Sequence, residues 1–93
     1  MLNILSHEVM KRGDVWKRGH QLFDVVLQID LKKGDSALVE GGTELLIVFD
    51  NEDKDIDSYA FVPKNDPSRP TISVSFKEGE WEQVRAYCEK ALN

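Results

Sequence analysis

The sequence predicts an α+β domain, an antiparallel β-sheet of about four to five strands backed by one C-terminal α-helix. Three observations lead there. Residues 23–31, FDVVLQIDL, place Phe23, Val25, Leu27, Ile29 and Leu31 on one face and Asp24, Gln28 and Asp30 on the other, the two-residue period of a strand. Residues 45–49, LLIVF, are apolar throughout, as in a strand that wants cover on both faces. Near the C-terminus Trp81, Val84, Cys88 and Leu92 recur at helical spacing, with Ala91 beside them.

Ninety-three residues make one domain, 1–93, with one small core or a core shared between two copies. Hydrophobic residues are 41% and charged residues 31%, the balance of a folded chain rather than a disordered one. No apolar run approaches the roughly 20 residues that span a bilayer. The start, MLNILSHEVMKR, lacks the basic region and long apolar stretch of a signal peptide. A cytoplasmic location and no membrane partner are the expectation.

Along the chain, Ile4, Leu5, Val9 and Met10 suit a short helix or an edge strand equally. Arg18-Gly19 is the expected turn of a hairpin in which Val15 and Trp16 pair back toward Leu22 and Phe23. After strand 23–31, KKGD (32–35) turns the chain and SALVE (36–40) reads as a return strand. Gly41-Gly42 then offers the positive φ of a tight turn before the strand at 43–50. An acidic loop, DNEDKDID (50–57), precedes a short strand at 58–62, a proline-rich loop at 63–70 and a last strand at 71–75. Ser75 with Glu78 three positions on has the spacing of a capping box, and Gly79 in the first turn weakens the helix slightly. On this reading Trp81 is buried, and truncating it to Ala nearly unfolds the protein at a cost of about 3–5 kcal/mol.

The chemistry argues against an enzyme. Cys88 is the only cysteine and falls on the apolar helix stripe, where a buried, inert thiol is expected. With His7 and His20 as the only histidines, one chain cannot assemble an ordinary Cys/His zinc set. No nucleophile elbow, phosphate-binding glycine loop or H-E-x-x-H helix occurs. Asp53, Asp55 and Asp57 imitate the start of a calcium loop, but Ser58 holds its glycine position and Lys64 its final glutamate position, which excludes an EF-hand. No cofactor and no metal site are expected.

Charge points to binding instead. The formal net charge is −5, yet residues 1–33 hold six basic groups against four acids, while residues 34–93 hold six against thirteen. Within the stretch MKRGDVWKRGHQLF (10–23), Lys11, Arg12, Trp16, Lys17, Arg18 and His20 are the candidate partner-binding residues. Arg and aromatic side chains anchor protein contacts. The same mixture also suits single-stranded nucleic acid, whose bases stack on rings while phosphates meet Lys and Arg. The leading expectation is a non-enzymatic protein-binding module of the bacterial or phage regulator, inhibitor or immunity type, engaging another protein or itself. A single-stranded nucleic-acid binder is the alternative. A homodimer is expected, because one helix covers only one face of residues 45–49.

The junction VSFKEGEWEQV (74–84) carries Val74-Ser75-Phe76, then Trp81 and Gln83-Val84. At that spacing it resembles the last-strand-to-helix junction of the positive-cofactor-four family of single-stranded-DNA-binding transcriptional coactivators. The resemblance spans eleven residues. It implies four strands followed by a helix, dimerisation through that helix, and DNA binding on a curved sheet. This chain departs from the family in being acidic and in gathering its basic groups near the N-terminus.

Overall fold

Four strands, β1 (Asn3–Lys17), β2 (His20–Asp30), β3 (Thr43–Asp50) and β4 (Asp55–Pro63), pair in sequential order as one antiparallel sheet, and α1 (Glu80–Leu92) packs on one face of it. The computed structural model describes residues 2–17, 19–30, 42–64 and 75–93, and the side chains of all of these except 14–17. The architecture is the α+β arrangement that the sequence predicts. Among the described residues no helix is long and apolar enough to cross a membrane.

The strand period builds the core directly. In the β2–β3 register Phe23 faces Phe49, Val25 faces Ile47 and Leu27 faces Leu45. Val25, Leu27, Ile29, Leu45, Ile47, Phe49 and Phe61 thus share the helix side, where Val84 and Cys88 of α1 complete a buried cluster. Each such side chain contributes about 1.5–3 kcal/mol on burial, before the entropy of ordering the chain is subtracted.

The N-terminal segment resolves as an edge strand. A register shift between Ile4 and Ser6 breaks its alternation. Ile4 opposite Ile29 and Val9 opposite Val25 therefore both face the helix side although five residues apart. Leu5, at the irregularity, and Met10, on the other face, are exposed. Polar bonds tie this edge to α1. The Leu2 amide donates to Gln83 Oε1 (2.9 Å), Gln83 Nε2 donates to the Leu2 carbonyl (2.7 Å), and His7 Nδ1 lies 2.7 Å from the Tyr87 hydroxyl.

Several local expectations change. Gly19 supplies the expected positive φ (77°) at the first hairpin, but Trp16 pairs with Gln21 and Lys17 with His20, one step off the expected register. A second irregularity between Lys11 and Trp16 absorbs the difference. The acidic loop shrinks to a turn at 51–54, because Asp50 still belongs to β3 and Asp55 already begins β4. Gly42 has the positive φ (98°) expected of it. The turn at 32–35, the return strand at 36–40, Gly41, most of the loop at 63–70 and all but Ser75 of the strand at 71–75 lie outside the described residues. Ser75 itself is not in a strand.

The helix start is the clearest correction. The Ser75–Glu78 capping box does not form. Instead Gly79 is the N-cap, left-handed at φ 83°, with no side-chain cap. A residue with a Cβ resists that conformation, so Gly79 shapes the helix entry rather than weakening its first turn. Glu80 turns back and accepts the Lys77 amide through Oε1 (2.7 Å).

Trp81 is also misplaced by spacing alone, being 37% exposed. It sits where α1 enters the sheet edge, its ring edge-on to Tyr59 (6.0 Å) and Phe76 (5.9 Å) and its indole N–H donating to Asp55 Oδ1 (3.2 Å). Trp81→Ala is therefore expected to cost about 1–2 kcal/mol, the scale of aromatic edge contacts plus partial burial, and to leave the protein folded. Urea unfolding of the variant measures this, and loss of the folded baseline would return Trp81 to the core.

Candidate functional site

Strand alternation splits the predicted basic strip. Arg12 lies with Met10 and Asp24 on the face away from α1, and its Nη1 bonds Asp24 Oδ1 at 3.1 Å. Lys11, opposite Phe23, belongs to the other face and is exposed. The backbones of Trp16 and Lys17 continue β1 into the hairpin. Their side chains, and all of Arg18, lie outside the described residues.

His20 has partners that its sequence neighbours do not announce. Leu22 pairs with Asp50 across β2 and β3, so His20, two residues before Leu22, projects from the same face toward the β3–β4 turn. There Nδ1 lies 2.9 Å from Asp50 Oδ2 and 3.7 Å from Asp53 Oδ1, and Nε2 lies 3.1 Å from Glu52 Oε2. Asp50 is only 3% exposed. Its Oδ1 accepts the amides of Glu52 (3.0 Å) and Asp53 (3.1 Å), which fixes the carboxylate before the imidazole meets it.

The electrostatics follow from this geometry. The hydrogen bond to Asp50 raises the His20 pKa above its ordinary value; the charges of Asp50, Glu52 and Asp53 add to that, against the opposing effect of burial. Burial pushes the Asp50 carboxyl up, but the bonds from His20 and from the Asp53 and Glu52 amides outweigh it and hold the group below its ordinary value. With a carboxylate beside each ring nitrogen, both N–H groups of a protonated imidazole have an acceptor here, which is the physical source of that upward direction. Among the described residues His20, Asp50 and Asp53 also bring together one metal-ligand atom each within 4.8 Å.

The second feature is the sheet face away from α1. By register it carries Met10 from β1, Asp24 and Val26 from β2, Leu46 and Val48 from β3 and Ala60 from β4. Met10 is 56% exposed, and Val26, Leu46, Val48 and Ala60 are half-buried. An open depression on this face is lined by Met10, Asp24, Val25, Val26, Leu46 and Ile47. At its borders Arg12 pairs with Asp24, and Gln28 Nε2 donates to Glu44 Oε2 at 2.6 Å. The face thus has an apolar centre and a polar rim.

Cys88 offers no reactivity, because burial pushes its thiol up to about 12. Comparison of the chain with family models, with curated proteins and with solved structures found no match.

Proposed function

We propose that this protein is a non-enzymatic protein-binding module, of the regulator or inhibitor class, whose contact surface is the open sheet face together with the β1–β2 hairpin at its end. We further propose that it self-associates through that face as a homodimer. The observation behind this is the one-sided cover of the sheet. Leu45, Ile47 and Phe49 are sealed beneath α1, whereas Leu46 and Val48 of the same strand share the opposite face with the exposed Met10. A two-fold axis through such a patch brings identical apolar residues together, and sheet faces pack at about 10 Å when they meet this way.

Charge favours a protein over a nucleic acid. Arg12 is neutralised by Asp24, and His20 is surrounded by three carboxylates. That reduces the positive field available to phosphate on a chain whose net charge is −5. The two readings separate through salt. No binding of a labelled single-stranded oligonucleotide is expected at about 150 mM salt, where unpaired phosphate attraction is already weak. Binding there would overturn the reading if its logarithm fell against log salt by about 0.7 per contact, and if exchanging Lys17 and Arg18 for Ala flattened the slope by roughly 1.4.

A further inference from the structure

We propose that His20, Asp50 and Asp53 bind one divalent transition-metal ion of the zinc type at the end of the sheet, between β2 and the β3–β4 turn. This goes beyond the binding-module reading and does not depend on it. Ligands about 2.0–2.2 Å from a metal stand roughly 3–3.5 Å apart across one edge of a tetrahedral or octahedral site. His20 Nδ1 already stands 2.9 Å from Asp50 Oδ2 and 3.7 Å from Asp53 Oδ1, and all three ligand atoms fall within 4.8 Å of one another.

A separate observation lies on the far side of the ring. Nε2 is 3.1 Å from Glu52 Oε2, a carboxylate outside the ligand triad. With the metal in place of the Nδ1 proton, Nε2–H donates to Glu52. This is the carboxylate–histidine–metal relay that orients ligating imidazoles and strengthens them as donors. Asp50 is similarly prepared. Its Oδ1 is occupied by two backbone amides, which leaves Oδ2 directed at the site.

Ligand chemistry selects the ion. An imidazole nitrogen with two carboxylate oxygens suits Zn2+ and its borderline neighbours Co2+ and Ni2+, whereas Mg2+ and Ca2+ prefer oxygen alone. Three carboxylates meet a single imidazole here, one of them buried, and a dication balances that charge better than a proton does. Three protein ligands leave a fourth position for water at the exposed edge.

The test uses the full chain, stripped with a chelator and titrated with Zn2+ by calorimetry. Co2+ absorption and the 15N shift of His20 Nδ1 report on coordination directly. Saturable one-to-one binding at micromolar metal is expected, with a shift at His20 Nδ1 and none at His7. His20→Gln and Asp53→Asn are each expected to lower affinity by about tenfold or more, and Glu52→Gln by about 10–100-fold. His7→Gln should leave affinity unchanged, and millimolar Mg2+ or Ca2+ should not compete. Asp53 is exposed, so its variant keeps the test decisive even if His20→Gln disturbs folding. Absence of saturable binding, binding that survives Asp53→Asn undiminished, or binding lost with His7→Gln overturns the proposal.

Discussion

Phe49→Ala is expected to remove about 3–5 kcal/mol of stability. Phe49 is fully buried on central strand β3, opposite Phe23, among the largest side chains of the core. Truncation deletes its transfer free energy and leaves a cavity between sheet and helix that neighbours on paired strands cannot collapse to fill. A domain of this size has a total stability on the order of 5–15 kcal/mol, so much of the margin disappears. Urea unfolding of wild type and variant gives the difference. A loss under about 1 kcal/mol would mean that the sheet and α1 do not enclose Phe49.

Val84→Asp should be at least as damaging, by a different route. Val84 is fully buried on the sheet side of α1, with Cys88 one turn on. Among the described residues the buried cluster holds no cation for a carboxylate there to meet, and an unpaired buried charge costs several kcal/mol. The helix must undock or the group must stay protonated. Far-UV circular dichroism at neutral pH is expected to show loss of helical signal with lowered cooperativity of unfolding. Placing Asp at Ala86, exposed on the opposite side of α1, is the control and should melt close to wild type.

Val84 was legible in the sequence because its period is undistorted: Val84 and Cys88 are four apart on one face of an ordinary helix. Phe49 was legible as core but not as to face, because residues 45–49 are apolar at every position; its side follows only from pairing with Phe23 of the alternating strand at 23–29. The sequence left the N-terminal segment open between a short helix and an edge strand, because the irregularity after Ile4 puts Ile4 and Val9 on one face at a five-residue spacing that an undistorted strand does not give. Trp81 has the right helical phase but the wrong height. It lies in the first turn, where α1 has reached only the sheet edge, so phase without position overstated its burial.

The site divides in the same way. The stretch around Lys11, Arg12 and His20 attracts notice by composition, yet strand alternation sends Lys11 and Arg12 to opposite faces. His20 meets Asp50, thirty residues away in sequence, through the pairing of Leu22 with Asp50. No local pattern encodes that meeting; only the β2–β3 register does. The acidic run at 50–57 reads as a loop, and its first residue, also the last of the expected strand at 43–50, proves to be buried with an imidazole partner.

Light scattering on the intact chain and on Met10→Glu tests the central proposal most directly. Met10 is more than half exposed at the edge of the apolar depression, so a carboxylate there should disturb association without disturbing the fold. The wild type is expected at twice 10.6 kDa at micromolar concentration, and Met10→Glu at 10.6 kDa with an unchanged circular dichroism spectrum. A wild-type protein of 10.6 kDa throughout, or a dimer that tolerates the charge at Met10, would contradict self-association through the open face.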